Sequence, residues 1–225
     1  MLLRGRSILV VGDSINEEIF LTLANSLFLV ADEASAPFDP RTPIEVHVCN
    51  GTVYLKFVRN DRLSLIRSPH MENPTFREYP FIFDIDIFDI IILNRGAHFE
   101  ESGIVLRAIE EALSFIEIHS PGAKVIWRTT PRGHSNFASV FHAPPLVVEE
   151  DVTNLPFNWG NIVSQNRDVV QFIENRFPCV LIFDVAPILN LRHDYHKDGL
   201  HYTIPGPLDL FSRVFFHFLP DILSR

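Results

Sequence analysis

The chain has 225 residues, of which 47% are hydrophobic and 21% charged, and its formal net charge is −9. Such a composition excludes a disordered tail or a collagen-like chain. With 19 Lys+Arg against 28 Asp+Glu there is no basic footprint for a nucleic-acid partner. One domain spanning 1–225 can bury roughly 70–75% of its unfolded surface, so no metal or disulfide staple is required. The two cysteines, Cys49 and Cys179, rule out a disulfide framework but not a single bridge. No apolar run reaches the length of about 18 residues that spans a membrane. The stretch before residue 7 is too short for a signal peptide. The sequence is thus expected to belong to a protein that stays where it is made, or to a domain of a longer one.

Ser7-Ile8-Leu9-Val10-Val11 is short, apolar and β-branched, and Gly12-Asp13-Ser14 follows. It predicts a buried strand ending in a tight loop. Residues 15–30 carry Ile19, Leu23, Leu27 and Val30 at helical spacing. Glu17 and Glu18 fall in the first turn, where the helix dipole favours acids. The segment 31–43 contains three prolines and predicts a loop. Two alternating runs, 45–49 and 52–57, flank Asn50-Gly51, the strongest short hairpin signal. Residues 59–80 read as irregular.

Asp89–Leu93 predicts a third buried strand, ending at Asn94-Arg95-Gly96-Ala97-His98. A helix over 101–118 presents Ile104, Ala108, Ala112, Phe115 and Ile116 on one face. A strand at 124–130 follows, then the loop Pro131-Arg132-Gly133-His134. Residues 135–162 are mostly loop, 163–176 a helix and 179–183 a strand on which Cys179 is expected to be buried, as Cys49 is on its own. A His-rich loop leads to Pro205-Gly206 and a last helix over about 207–222.

Strands alternating with helices imply βαβ units and a mainly parallel sheet with helices on both faces. Ligands in such α/β sheets sit beyond the carboxyl ends of the strands. The polar clusters Asp13-Ser14, Asn94 to His98, Arg132 to His134 and Asp184 onward all fall at those ends.

Ser14 stands between a strand end and a helix start, where backbone N–H groups are unpaired and partly positive. A serine there can act as a nucleophile with its own N–H in an oxyanion hole. It can equally be a helix N-cap. Asp198 and His201 are three residues apart just before the last helix. Asp198 can hold Nδ1–H of His201 and leave Nε2 to take a proton from a serine hydroxyl. The alternative is a surface turn. His193, Asp194, His196, Asp198 and His201 also form a dense run of metal-ligand types, but their spacing matches no zinc motif, and no metal or other cofactor is expected. The Asn94 side chain can donate to an oxyanion, or it and Gly96 can simply form a turn. Asp13, His98, Arg132 and His134 are candidates for binding substrate, with solvated loop residues as the plain alternative for the last three.

Four stretches, taken in order, resemble the SGNH superfamily of serine hydrolases. They are Val10-Val11-Gly12-Asp13-Ser14, Asp89 through His98, Trp127-Arg128-Thr129-Thr130-Pro131-Arg132-Gly133-His134, and Asp184-Val185-Ala186-Pro187 with Asp198-Gly199-Leu200-His201-Tyr202 and Pro205-Gly206. The likeness is greatest to the PC-esterase branch, which includes the trichome-birefringence-like polysaccharide O-acetyltransferases. The resemblance implies a three-layer αβα sandwich, SGNH/flavodoxin-like. It implies Ser14 as nucleophile, His201 as base and Asp198 as its orienting partner, with Asn94, Gly96 and the Ser14 N–H as oxyanion donors. The implied substrate is an ester, foremost an acetylated carbohydrate, whose acyl group passes to Ser14 and then to water or a sugar hydroxyl. It would also suggest a Golgi or secretory address if the sequence is part of a longer chain. Gly199 and Thr203 stand where the plant enzymes carry cysteines, and a second-block glycine is not identifiable. Those departures keep a second reading open, a glycan-binding module of the same fold without catalysis.

Overall fold

The run that follows Arg6 becomes the central strand of the sheet, and its burial explains why it carries no charge. In the computed structural model, which describes residues 2–27, 43–66, 76–134 and 155–224, the elements follow in the order β1 (Ser7–Gly12), α1 (Ser14–Ser26), β2 (Ile44–Val48), β3 (Val53–Arg59), β4 (Ile90–Leu93), α2 (Ser102–His119), β5 (Lys124–Arg128), α3 (Ile162–Arg176), β6 (Leu181–Phe183), α4 (Ala186–Leu189) and α5 (Asp209–Ser224). The six strands lie in the order β2-β3-β1-β4-β5-β6. All pairs are parallel except the β2–β3 hairpin at one edge.

Alternate residues of β1 enter different cores. Ile8 and Val10 pack with Ile15, Ile19 and Leu23 of α1 and with Phe211, Phe215 and Leu219 of α5. Leu9 and Val11 pack on the opposite face with Val105, Ile109 and Ile116 of α2 and with Val169 and Ile173 of α3. This period-two division of one strand between two helical layers is what makes the fold an αβα sandwich. Strands covered on both faces read as unbroken apolar runs, as Ile90-Ile91-Ile92-Leu93 does. Each fully buried Ile or Leu contributes about 1.5–3 kcal/mol.

The Asn50-Gly51 hairpin forms as expected, with Cys49 and Asn50 at φ 55° and 57° in its turn. Cys49 is thus a half-buried turn residue and Cys179 an exposed one before β6, so neither is a core strand thiol. The first helix ends at Ser26, and Val30 and the rest of the proline-rich segment lie outside the described residues. The buried face of α2 is Val105, Ile109, Ala112, Leu113 and Ile116; it keeps Ala112 and Ile116 of the expected stripe and replaces Ile104, Ala108 and Phe115. Ile104 is 43% exposed. Val105, Ile109 and Leu113 supply bulk where the sheet is. The segments expected to be irregular or loop, 59–80 and 135–162, fall partly or mostly outside the described residues.

Ignoring the antiparallel edge strand, the parallel order reverses at β1, between β1 and β4. A crevice at such a switch point is where α/β sheets bind ligands. The loops after β1 and β4 are Gly12-Asp13-Ser14 and Asn94 to His98.

Candidate active site

At the end of β1 the chain must turn without a side chain. Gly12 has φ +153°, and a Cβ there would lie 2.7 Å from the Asn94 carbonyl oxygen and 2.8 Å from Asn16 Nδ2. The two loops of the switch point are therefore in direct contact. Asp13 locks them together: Oδ1 accepts from the Ile15 N–H at 3.0 Å and Oδ2 from the Ala97 N–H at 2.9 Å. Asp13 is fully buried. Burial alone would push its carboxyl up. The Arg128 guanidinium, the Ala97 N–H and the charges of Arg59 and His98 outweigh that and hold it below the usual carboxylate range. Asp13 is the N-cap of α1 and a buried structural cross-link, with both oxygens engaged inside the fold, where the sequence pattern suggested a substrate contact.

This division of labour decides what Ser14 is. Capping falls to Asp13, and Ser14 is the first helical residue. Its N–H has no acceptor within the helix. Its hydroxyl makes no hydrogen bond among the described residues, and the residue is partly exposed.

Arg128, at the end of β5, lies beneath this turn. It is fully buried, its Nε donates to Asn16 Oδ1 at 2.7 Å and its Nη1 to the Thr129 carbonyl at 2.8 Å. Nη2 stands 3.8 Å from Asp13 Oδ1. Burial lowers its pKa to about 10, against the pull of Asp13, Tyr202 and Glu18.

The expected oxyanion donor Asn94 is spent inside the fold. Its Nδ2 donates to the Arg128 carbonyl at 2.9 Å and to Thr130 Oγ1 at 2.7 Å. What remains without a partner is Oδ1, an acceptor, which cannot stabilise an oxyanion. The Gly96 N–H has no partner among the described residues. A Cβ at Gly96 would lie 2.3 Å from Thr130 Oγ1, so the β4 and β5 loops touch there as closely as the β1 and β4 loops do at Gly12.

On the C-terminal side, Asp198 and His201 form the expected pair. His201 Nδ1 lies 2.6 Å from Asp198 Oδ2. Asp198 Oδ1 accepts from the N–H groups of His201 at 2.8 Å and Leu200 at 3.1 Å. Burial raises the Asp198 carboxyl, but these bonds and the charge of His201 bring it below the usual range. A carboxylate on Nδ1 favours the tautomer with the proton there, which leaves the Nε2 lone pair as an acceptor. No hydrogen bond joins His201 to Ser14.

The loop bearing this pair is seated on α1. Glu18, one turn beyond Ser14, accepts from the Tyr202 N–H at 3.1 Å and from Lys197 Nζ at 2.8 Å. The loop is seated from behind by the Pro131–His134 segment. The His134 N–H donates to the Gly199 carbonyl at 2.7 Å. Its Nδ1 lies 3.2 Å from His196 Nδ1 and its Nε2 2.9 Å from the Asn190 carbonyl. The Arg132 N–H donates to Asn190 Oδ1 at 2.9 Å. Arg132 is fully buried and His134 is 4% exposed. Both are interior braces, so their expected place in a substrate groove is corrected. The loop after β5 reads as polar because it satisfies a buried turn. His98 is half-buried, with Nε2 3.7 Å from Asp61 Oδ2 and its ring edge-on to Phe76, and it remains beside the switch point.

The His-rich run divides. His196 and His193 turn inward to His134, with ring centroids 4.7 and 5.7 Å away, while Asp198 and His201 pair with each other. Among the described residues no three His, Cys, Asp or Glu side chains are placed to hold a metal ion. Beside the Asn94–His98 loop, a cleft of about 600 Å³ opens between Arg62, Ser64, Arg95 and Glu100. That volume lies in the range of small-molecule sites.

Glu18, Asn16 and Arg128 are the residues that sequence reasoning missed. Glu18 reads as a dipole partner, and only the burial of its face would have pointed further. Asn16 and Arg128 lie 112 positions apart in sequence and pair across β1 and β5 through a contact that no local pattern encodes.

No protein-family model and no curated protein matches the chain. Solved structures of similar fold include a peptidoglycan O-acetylesterase, with a TM-score of 0.57 and 8% identity over 98% of this chain and 92% of that one. The periplasmic domain of a Salmonella Paratyphi A lipopolysaccharide acetyltransferase gives 0.54 and 11%, over 99% and 86%. A family 2 carbohydrate esterase with a carbohydrate-binding domain from Corynascus thermopiles gives 0.55 and 11%, over 98% and 67%. The fold is therefore one that esterases and acetyltransferases share, as the SGNH resemblance implies.

Proposed function

We propose that this chain, as a single domain over 1–225, is an SGNH-type serine esterase or O-acyltransferase of the PC-esterase branch, and that its substrate is an acetylated carbohydrate. The observation that carries the reading is the separation of roles at the start of α1. Asp13 caps the helix, and Ser14 is left with an uncommitted hydroxyl at the switch point of the sheet. The loop whose imidazole is oriented by Asp198 is clamped to the same helix one turn away.

In this reading Ser14 Oγ attacks the ester carbonyl while His201 Nε2 takes its proton. The negative charge on the carbonyl oxygen is met by the Ser14 N–H at the positive end of α1 and by the Gly96 N–H. The Asn94 amide has no hydrogen to offer, and its part is to hold the Gly96 turn. Collapse of the adduct expels the alcohol, which receives the proton from His201. Water or a sugar hydroxyl then attacks the acyl-Ser14 ester with His201 again as base; the acyl–Oγ bond breaks and His201 returns the proton to Ser14 Oγ. That no hydrogen bond joins Ser14 to His201 is compatible with this course, because catalytic hydrogen bonds tighten when substrate binds.

The missing hydrogen bond, with the sequence departures at Gly199 and Thr203, also favours the second reading, a glycan-binding module. Turnover of 4-nitrophenyl acetate separates the two. The esterase reading expects Ser14→Ala to abolish hydrolysis with an unchanged circular-dichroism spectrum. No hydrolysis by the folded wild type, or equal hydrolysis by the variant, would overturn it.

A further inference from the structure

Glu18 sits on α1 four residues after Ser14, a rise of about 6 Å along the same face. The residue is 6% exposed. Its two oxygens are taken by two points of one loop, the Lys197 ammonium and the Tyr202 N–H. Between those points the loop closes on itself, since the Lys197 N–H donates to the His201 carbonyl at 2.9 Å and His196 bridges to Tyr202. Glu18 is thus the tie between the helix that carries the nucleophile and the loop that carries the base.

A neutral glutamine would satisfy the Tyr202 N–H as well and would be cheaper to bury, because only an ion loses its full hydration. Burial does push the Glu18 carboxyl up, against Lys197, Tyr202 and the charge of His201. The groups around the carboxylate are Lys197, His201 and Tyr202 from the loop and Arg128 from β5. Of these, His201 is the one whose charge changes during the proposed reaction, when it takes the Ser14 proton.

We infer that Glu18 is a positioning residue of the proposed reaction: it docks the Asp198–His201 loop on the nucleophile helix and supplies a fixed negative charge that favours the imidazolium formed in the transition state. The inference rests on Ser14 and His201 being nucleophile and base. A charge that acts on the imidazolium only after proton transfer stabilises the transition state more than the ground state, so it raises kcat and leaves KM alone.

The test is the pH dependence of acetyl-ester turnover in Glu18→Gln and Lys197→Met beside the wild type. Gln keeps an acceptor for Tyr202 and removes the charge. It should lower kcat about threefold at unchanged KM and move the acidic limb of kcat/KM to lower pH by about half a unit. Lys197 is half exposed, and its loss removes the counter-charge. Lys197→Met should move the same limb upward and serves as the test if Glu18→Gln does not fold. A simple structural clamp would change melting temperature and move neither limb. Limbs that stay in place in folded variants overturn the inference and leave the triad intact. A wild type with no Ser14-dependent turnover overturns both.

Discussion

The loop that carries the proposed base is braced by His196, an imidazole whose pKa burial lowers, and this makes the loop sensitive to acid. His196 is fully buried. Burial, then the neighbouring His134 and more weakly His193, depress its pKa to about 3, while a Gly199 backbone bond and Asp198 pull the other way. In the unfolded chain the same ring titrates near 6.5. The folded value is below the unfolded one, so the stability involved is fully present above about pH 6.5. It is lost as pH falls, since the unfolded chain takes up a proton that the native state refuses. At pH 5, about 1.5 pH units below the unfolded value, one such site costs about 2 kcal/mol at 1.36 kcal/mol per unit. Urea unfolding at pH 7 and pH 5, with His196→Gln beside the wild type, measures this term. The wild type should lose about 2 kcal/mol more than the variant between the two pH values, since other titrating groups are common to both. Equal losses would refute the assignment of a neutral, buried His196.

Other outcomes follow from the same geometry. Asp13→Ala removes the α1 cap and leaves Arg128 buried without its counter-charge, and should cost about 3–5 kcal/mol in chemical denaturation. Gly96→Ala forces a methyl to within 2.3 Å of Thr130 Oγ1 and should destabilise by about 1–3 kcal/mol, visible as a fall in melting temperature. His201→Ala should reduce kcat by about 10⁴-fold or more with little change in melting temperature, because the residue is partly exposed and members of a triad act as a unit. Arg132→Ala should lower stability, with KM for acetyl esters unmoved in whatever fraction folds, because the side chain is in the interior.

The fold was largely legible because its signals are local. Unbroken apolar runs such as Ile90–Leu93 announce strands covered on both faces, and Asn50-Gly51 announces the hairpin. The helix over 102–119 is in place, and its buried face keeps Ala112 and Ile116 but takes Val105, Ile109 and Leu113 in place of Ile104, Ala108 and Phe115. Ile104 and Val105 are equally apolar, and the sheet alone decides between them. At the candidate site, the pairing of Asp198 with His201 was readable from a spacing of three. The roles of Asn94, Arg132 and His134 were not. A polar side chain at a strand end looks the same whether it meets substrate or satisfies a buried carbonyl. Here Asn94 bonds to residue 128 and His134 to residues 190, 196 and 199. Sequence distance of that kind leaves no local trace. Glu18 was hidden for the same reason, since its partner Tyr202 lies 184 positions away.

The central claim is that Ser14 is an activated nucleophile, and it is tested most directly by intact-mass spectrometry after incubation with a fluorophosphonate. The account predicts one covalent adduct on the wild type and none on Ser14→Ala. A folded wild type that takes up no adduct, or a Ser14→Ala variant that labels equally, would contradict it.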